Sequence, residues 1–345
     1  MRILLTADPE LPVPPGKYGG IERLVDLWQR ELRARGHIVG LVARGDSTAP
    51  VDRLFPWPGG ASQVAGDTIK NALALWRAAR EFRADVVHSS SRLAYTVPLL
   101  LSRRPVVMTY HRFPGTRQIR IASALGGRSL AFVGISRYIT SRGAPGGGHW
   151  HTVHNCIDVT ACTFAPTVAA DAPLVFLSRI EAVKGAREAI AIARAAGVPL
   201  ILAGNHSADR DAAAYWSQHI APEIDGRQIS YVGPVDDAQR TALLGRARAL
   251  LVPVQWDEPF GLVFAEALAC GTPVISSPRG ALPEIVRPGI TGFLVRNEAE
   301  GVQAVRAASG LDRAACRREA ELNFAPGPAV ERFLAVYTAV GAGLT

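Results

Sequence analysis

Two glutamates eight positions apart give the clearest chemical signal in the sequence. Glu258 and Glu266 stand at the ends of the segment Glu-Pro-Phe-Gly-Leu-Val-Phe-Ala-Glu. A helix is predicted to begin at Gly261, so Glu258 precedes it and Glu266 lies about two turns inside it. The free N–H groups of a first helical turn attract anions. A carboxylate on each side of such a turn suits a nucleotide sugar, because carboxylates accept hydrogen bonds from hydroxyl groups.

A simpler interpretation of this segment treats both glutamates as solvated helix residues. The other residues of 264–269 are all apolar, with Phe264 and Ala265 before Glu266 and Ala267 after it. A charged side chain in an apolar stretch needs a partner. We therefore favour the binding interpretation.

A basic turn gives the second signal. The segment Ser-Arg-Ile-Glu-Ala-Val-Lys-Gly ends a predicted strand and begins a helix, with Arg179 and Lys184 on either side of the turn. Both cations can converge on a phosphate there and neutralise a leaving diphosphate. Taken alone, the segment is equally typical of a basic surface turn. The nearby glutamate motif favours the phosphate site.

These motifs lie in a chain that alternates predicted strands and helices, which indicates parallel sheets covered on both faces. Strands are predicted at 2–8, 37–43, 85–88, 105–111, 130–136, 150–157, 174–179, 199–204, 229–232, 250–253 and 274–277. Helices are predicted at 21–36, 68–82, 184–196, 211–220, 237–249 and 261–269, and most of 297–345 is helical. The fold class is therefore α/β.

The alternation is interrupted at 158–173, where no period is visible, and we interpret that segment as a linker. The prediction is two Rossmann-like, doubly wound domains: 1–165, which would bind the acceptor, and 166–325, which would bind the donor. The tail 326–345 is predicted to pack back toward the first domain. Open α/β sheets bind ligands at the carboxyl ends of their strands, so the two domains are expected to face a central cleft.

Composition excludes several other classes of protein. The 345 residues are 48% apolar and 20% charged, as in a soluble globular enzyme. The four cysteines form no C-x-x-C pair, which excludes a disulfide scaffold and a zinc ribbon and suits a reducing compartment. The first apolar run is too short for a signal peptide, and no apolar stretch is long enough to span a membrane. A cytoplasmic location is expected.

The charge is unevenly divided. Residues 1–165 contain 21 Lys+Arg and 11 Asp+Glu, a net +10, whereas residues 166–345 contain 17 and 19, a net −2. Arg112, Arg117 and Arg120 follow a predicted strand, and the last two are one helical turn apart. They could hold an anionic acceptor or contact an acidic membrane surface, and an arginine-rich solvated face explains them equally well.

The ordered motifs resemble those of the retaining glycosyltransferases of family 4, which have the GT-B fold. The E-x7-E segment from Glu258 to Glu266 and the pair Arg179 and Lys184 match that family. Shorter similar segments are Gly19-Gly20-Ile-Glu22, Thr109-Tyr-His111, Val133-Gly-Ile-Ser136 and His154-Asn155 with Asp158. The resemblance extends over essentially the whole chain.

The resemblance implies roles for individual residues. Arg179 and Lys184 would bind the donor diphosphate, Glu266 the ribose and Glu258 the hydroxyls of the transferred sugar. His111 would contact the sugar near the reacting carbon, and Gly19 and Gly20 would let the first loop approach the diphosphate. The further donor contacts would come from Tyr231, Gly233 and Pro234, a turn that resembles the family's base-binding turn, and from the backbone of Phe260, Gly261, Leu262 and Val263.

The implied reaction moves a sugar from a nucleotide-diphosphate sugar, with UDP favoured over GDP, to a hydroxyl of an acceptor, with retention and without a metal or other cofactor. The acceptor class stays open among small molecules, glycans and lipid-linked sugars, and no nucleic acid is expected. One alternative is an epimerase or phosphorylase of the same fold. An NAD-dependent oxidoreductase is disfavoured because no G-x-G-x-x-G follows a predicted strand.

Overall fold

A computed structural model describes residues 1–16, 19–206 and 210–342. The chain forms two compact units. Unit 1 contains Met1–Cys156 together with the chain from Pro326 onward, and unit 2 contains Ile157–Ala325. The boundary predicted from sequence at 165 lies later than this division. The residues just before it belong with unit 2, because Ala165 N donates to Cys270 O at 3.1 Å and Arg317 Nη1 donates to Cys162 O at 2.9 Å.

Unit 1 is built on a seven-stranded sheet whose neighbouring strands are all parallel. Its strands are β1 (Arg2–Thr6), β2 (Ile38–Ala43), β3 (Arg53–Pro56), β4 (Val86–Ser89), β5 (Val106–Tyr110), β6 (Leu130–Gly134) and β7 (His149–Thr152), in the order β3-β2-β1-β4-β5-β6-β7. Its helices up to residue 143 are α1 (Gly20–Ala34), α2 (Ala65–Glu81), α3 (Val97–Leu101), α4 (Thr116–Gly126) and α5 (Arg137–Gly143). Because β1 lies centrally, its apolar residues are buried on both faces.

Unit 2 repeats this architecture on a six-stranded parallel sheet. Its strands are β8 (Leu174–Leu177), β9 (Leu200–Ala203), β10 (Ile229–Tyr231), β11 (Ala249–Val252), β12 (Val274–Ser276) and β13 (Gly292–Leu294), in the order β10-β9-β8-β11-β12-β13. Its helices are α6 (Ala186–Ala196), α7 (Arg210–Tyr215), α8 (Asp237–Arg246), α9 (Leu262–Ala269), α10 (Leu282–Ile285), α11 (Glu298–Ala308) and α12 (Arg313–Asn323).

The last helix, α13 (Pro326–Ala342), packs on unit 1. Its Phe333 and Tyr337 are 1% exposed, and the Phe333 ring lies 4.9 Å from the Trp28 ring of α1. Buried His88 of β4 hydrogen-bonds Tyr337 through Nδ1 at 2.6 Å and Thr109 through Nε2 at 2.7 Å. A neutral imidazole provides one donor and one acceptor, and each hydroxyl can take the complementary role, so both ring nitrogens of uncharged His88 are satisfied.

The structure contains elements that the sequence analysis did not predict. Strands β3 and β13 each lie at one edge of their sheet and have four and three residues. Each contains only two large apolar residues, Leu54 and Phe55 or Phe293 and Leu294, which are too few to show a strand pattern. Helix α4, which carries Arg117 and Arg120, was also missed, and the predicted helix 211–220 is α7 followed by a π-helical turn at Trp216–Ile220. Among the described residues, no helix has the length and apolar character to cross a bilayer.

Candidate active site

Unit 2 places Lys184 and Glu258 in direct contact. Lys184 Nζ lies 2.6 Å from Glu258 Oε2, and the two side chains are only 12% and 10% exposed. Trp256 Nε1 donates to the same carboxylate oxygen at 3.0 Å, and its ring lies 4.6 Å from Lys184 Nζ. Both contacts use Oε2, so Oε1 is the oxygen that can accept from a further hydroxyl. The ammonium has three donors and gives one to Glu258, which leaves donors for an anion.

Glycines hold the backbone around Glu258 in place. Ala281 N donates to Glu258 O at 2.8 Å, and a Cβ on Gly280 would lie 2.2 Å from the same oxygen. Gly261 precedes α9 with φ +83°, and a Cβ there would lie 2.5 Å from the Phe264 ring. Residues other than glycine rarely adopt these conformations. The site therefore depends on close backbone approaches on both sides of Glu258.

Helix α9 begins at Leu262, directly after Gly261. The N–H groups of Leu262 and Val263 have no carbonyl four residues earlier within the helix, as in any first turn. Phe260 is 1% exposed, and its ring packs on Phe324 at 5.7 Å. Its side chain therefore belongs to the core, so Phe260 can contribute to a donor site only through its backbone.

Glu266 lies farther along α9 and is 17% exposed. Its Oε2 is 3.3 Å from Arg240 Nε of α8, and Arg240 also pairs with Asp237 at 2.7 Å. This contact supplies the partner that a charged residue in an apolar stretch requires. It was not predicted from the sequence, because α8 and α9 are separate in the chain.

The two predicted phosphate ligands hold different carboxylates. Arg179 Nη1 pairs with Glu181 at 2.6 Å, and the Arg179 side chain is 47% exposed. Lys184 pairs with Glu258 instead. Gly185 follows Lys184 with φ +78°, and a Cβ there would lie 2.0 Å from Pro253 O. This close approach positions the turn that carries Lys184 against the end of β11.

Tyr231 is the last residue of β10, and Gly233 and Pro234 lie in the turn that follows it. Tyr231 Oη donates to Gly204 O at 2.8 Å, and Gly233 has φ +77° with open space around its missing side chain. Trp216 lies beside this turn, with its ring 4.6 Å from Tyr231 and stacked on His206 at 4.4 Å. Trp216 belongs to a π-helical turn, a feature common at functional sites. The sequence analysis did not single out Trp216 or His206.

Unit 1 contains a cavity of about 420 Å³ at the carboxyl ends of its central strands. His111, directly after β5, lines it. Both ring nitrogens of His111 are buried and have no hydrogen-bond partner among the described residues, and the ring stacks on Trp28 at a centroid distance of 6.1 Å. Burial, with a smaller effect of the Arg112 charge, lowers the pKa of His111 to about 3. The imidazole is therefore neutral at physiological pH.

Asp8, just beyond β1, lines the same cavity and was also missed from sequence. Burial, and then the negative charges of Glu10 and Glu22, raise the pKa of Asp8 to about 6. Asp8 Oδ1, Ser90 Oγ and Tyr110 Oη are buried, and within the part of the chain that the structure describes they have no hydrogen-bond partner. Buried polar atoms are normally paired. The cavity therefore has a floor of unsatisfied polar groups that a hydroxyl-rich ligand could satisfy.

The remaining predicted residues of unit 1 are Gly19 and Gly20 at the start of α1. Gly19 is the N-cap, and a Cβ there would lie 2.7 Å from Pro15 Cβ and 2.8 Å from Glu22 Oε2. Only glycine fits this approach without a shift. Gly20 is the first residue of the helix.

Two further observations concern parts of the structure away from the predicted site residues. A larger cavity of about 890 Å³ in unit 2 lies between segment 161–173 and α8, and none of the predicted donor residues lines it. In the described ranges, no three His, Cys, Asp or Glu side chains are grouped so that they could hold a metal ion.

Comparison with known families matches both units. Residues 18–161 match the model for Glycosyltransferase Family 4, and residues 169–313 match the model for glycosyl transferases group 1. The chain belongs to the group 1, family 4 type of glycosyltransferases. This transferase has the two-domain GT-B fold that the sequence analysis expected.

Curated relatives agree with this assignment, and a solved structure shares the fold. The transferase is 27% identical to a phosphatidyl-myo-inositol mannosyltransferase of Propionibacterium freudenreichii, over 85% of this chain and 84% of the relative. It is 28% identical to a glycogen synthase of Mycobacterium tuberculosis, over 92% and 88% of the two chains. The HepE protein of Anabaena in complex with UDP has a similar fold, with a TM-score of 0.76, 20% identity, and coverage of 98% of this chain and 100% of that one.

Proposed function

We propose that this transferase moves a sugar from a UDP-sugar to a hydroxyl of an acceptor, with retention of configuration and without a metal. The buried contact of Glu258 with Lys184, next to the first turn of α9, carries this proposal. It brings together a hydroxyl acceptor, Glu258, an anion ligand, Lys184, which is 74 residues away in the chain, and the backbone donors of the first turn of α9. The UDP complex of HepE favours uracil over guanine as the base.

Each group has a role in the proposed donor complex. Glu258 Oε1 accepts from the hydroxyls of the sugar while Oε2 keeps Lys184 and Trp256 in place. Glu266 accepts from the ribose hydroxyls, and Arg240 pairs with its carboxylate. The base lies at the turn of Tyr231, Gly233 and Pro234. The remaining donors of Lys184, the guanidinium of Arg179 and the N–H groups of Leu262 and Val263 bind the diphosphate.

The chemical step breaks the bond between the anomeric carbon and the diphosphate oxygen. The electron pair leaves with the diphosphate, where Arg179, Lys184 and the α9 N-terminus stabilise the developing charge. The acceptor hydroxyl attacks the same face of the sugar, and a diphosphate oxygen takes its proton. Neutral His111 cannot supply a positive charge, so its proposed role is to contact the sugar. Positioning and charge stabilisation account for the catalysis.

The ribose assignment is tested by Glu266→Gln. The variant loses a charged acceptor, so UDP affinity should fall about tenfold to a hundredfold. Isothermal titration calorimetry measures this directly. Glu300→Gln, on α11 of the same unit, is the matched control and should bind UDP like the unmodified protein. Unchanged UDP affinity in folded Glu266→Gln would contradict the assignment, and preferential binding of GDP would contradict the choice of base.

Metal independence and retention are tested by turnover. We expect transfer from a UDP-α-sugar to continue in excess EDTA, because side-chain cations and a helix N-terminus supply the positive charge. The product should show an α-anomeric proton by NMR. Loss of activity in EDTA that Mg²⁺ or Mn²⁺ restores would refute metal independence. A β-linked product would refute retention of configuration. Turnover of the donor without an acceptor, or only with phosphate, would indicate an epimerase or a phosphorylase instead.

A further inference from the structure

One long segment of unit 1 has a single sign of charge. Residues 86–156 contain nine arginines and no Lys, Asp or Glu. The segment spans β4 to β7 and includes helices α3, α4 and α5. Arg103, Arg117, Arg120 and Arg128 are all exposed. A surface of this composition attracts anions and repels an identical copy of itself.

Large apolar side chains are exposed between these arginines. Val97 and Leu101 lie on α3, Ile121 and Leu125 on α4, and Phe113 in the loop before α4; Leu101 is 66% exposed and Ile121 is 54% exposed. The two helices pack against each other, since a Cβ on Gly126 would lie 3.1 Å from Leu100 Cδ2. We call these five residues, with Arg103, Arg117, Arg120 and Arg128, the α3–α4 surface.

Helix α4 shows why this surface is unusual. Its Ile119 and Ala122 are buried and pack in the hydrophobic core. Ile121 and Leu125 are one turn apart on the exposed side, together with Arg117 and Arg120. Apolar residues mixed with arginines on the outer side of a helix are typical of segments that lie in a membrane interface.

The cavity of unit 1 meets this surface. Val97, Phe113, Ile121 and Leu125 line it together with Asp8, Ser90, Tyr110 and His111. The apolar residues of this set are partly exposed, whereas the polar ones have buried atoms that no described residue hydrogen-bonds. The cavity is therefore polar at its floor and apolar at its mouth. A ligand that fits has a hydroxylated head and an apolar remainder.

We propose that the α3–α4 surface docks on an anionic membrane and that the cavity takes the hydroxylated head of a lipid-linked acceptor from it. The inference rests on the proposed function, because it names the acceptor class of the same reaction. Arginines at the rim bind lipid phosphates while Phe113, Ile121 and Leu125 enter the interface. A soluble sugar acceptor does not account for these exposed apolar residues.

Vesicle flotation tests the surface without any turnover. The full chain is mixed with vesicles of phosphatidylcholine, alone or with phosphatidylglycerol at a 7:3 ratio, in 50 or 500 mM NaCl. At low salt we expect binding to the anionic vesicles to exceed binding to the neutral ones at least about tenfold, and to fall in high salt because exposed charges are screened.

Variants separate the charged and apolar contributions. Arg117→Ser with Arg120→Ser should weaken binding about tenfold, and Arg117→Lys with Arg120→Lys should restore it, because the charge is what matters. Phe113→Ser with Ile121→Ser should also weaken binding. Leu322→Ser, and Arg296→Ser with Arg306→Ser, are matched controls on exposed positions of unit 2 and should bind normally. Ile121→Trp should show a blue-shifted emission that brominated lipids quench.

The outcomes are distinguishable. Equal binding to both vesicle types, or normal binding of the charge and apolar variants, would overturn the proposal. So would an unquenched Ile121→Trp emission, or a dimer in solution that the same variants disrupt. UDP calorimetry on each variant reports on unit 2 separately. Vesicle binding with no UDP binding would contradict the proposed function and leave the surface supported, whereas UDP binding without vesicle binding would contradict the surface alone.

Discussion

At the scale of single residues, the pair Lys184 and Glu258 connects stability with function. The carboxylate is 10% exposed and has two donors, Lys184 and Trp256, on one oxygen. Burying a carboxylate is unfavourable unless it is paired and hydrogen-bonded. The same contact that would prepare the proposed donor site is therefore needed by the folded chain before any donor binds.

Lys184→Met should destabilise the protein because it leaves Glu258 with Trp256 as its remaining partner. We expect a loss of about 3 kcal/mol in the free energy of unfolding, measured by urea denaturation. The double variant Lys184→Met with Glu258→Gln should recover at least half of this loss, since the unpaired charge is gone. Lys70→Met is the control: Lys70 is 65% exposed and lies 3.7 Å from Asp67, so its loss should cost less than about 1 kcal/mol. Equal losses in Lys184→Met and the double variant would show that the buried charge is not the cause.

At the scale of elements, the start of α9 depends on one glycine. Gly261 has a positive φ and almost no room for a side chain, whereas Gly289 has φ +76° and open space around it. The two positions therefore separate backbone strain from steric conflict. Helix α9, which Gly261 precedes, also carries the N–H groups that the proposed diphosphate site uses.

Gly261→Ala should lower the free energy of unfolding by more than about 2 kcal/mol, because strain and a clash with Phe264 add together. Gly289→Ala should lower it by about 1 kcal/mol from strain alone. Calorimetry should show weaker UDP binding in Gly261→Ala and unchanged binding in Gly289→Ala. Similar stabilities, or normal UDP affinity in Gly261→Ala, would contradict the proposed role of this helix start.

At the scale of the whole molecule, unit 1 depends on histidines that stay neutral. Burial, with a smaller effect of the neighbouring His111, lowers the pKa of His88 to about 3. Burial lowers the pKa of His111 to about 3 as well. The unfolded chain takes up these protons near pH 6.5, whereas the native one does not. Stability is therefore present above pH 6.5 and is lost as the pH falls toward 3.

The melting temperature should consequently fall as the pH decreases from 6.5 to 4.5, with a contribution of at most about 1.4 kcal/mol per pH unit from each histidine. Asp8 acts in the opposite direction: its raised pKa makes the native chain take up a proton between about pH 4 and 6, so its contribution to stability decreases as the pH rises there. Asp8→Asn should therefore steepen the acid loss, and His88→Gln should flatten it. A melting temperature independent of pH over this range would contradict neutral, buried histidines.

The sequence alone determined the fold class and the position of the donor motifs. Buried parallel strands are continuous apolar runs, and these runs placed most central strands of both sheets within a few residues. Glu258, Glu266, Arg179 and Lys184 were identified because their types and spacing are local properties of the chain. The family resemblance extended the same local information to the expectation of a glycosyltransferase, which the family comparison confirmed.

The tertiary structure alone decided which residues these groups touch. Arg240 reaches Glu266 from another helix, and Lys184 reaches Glu258 across a separation of 74 residues. Asp8, Ser90 and Tyr110 line one cavity because strands that are distant in the chain are neighbours in the sheet. Strands β3 and β13 and helix α4 were not predicted, because a strand with two apolar residues and a helix with apolar residues on its outer side lack a clear period. Contacts between distant segments depend on how the elements pack, and local sequence patterns contain no record of that packing.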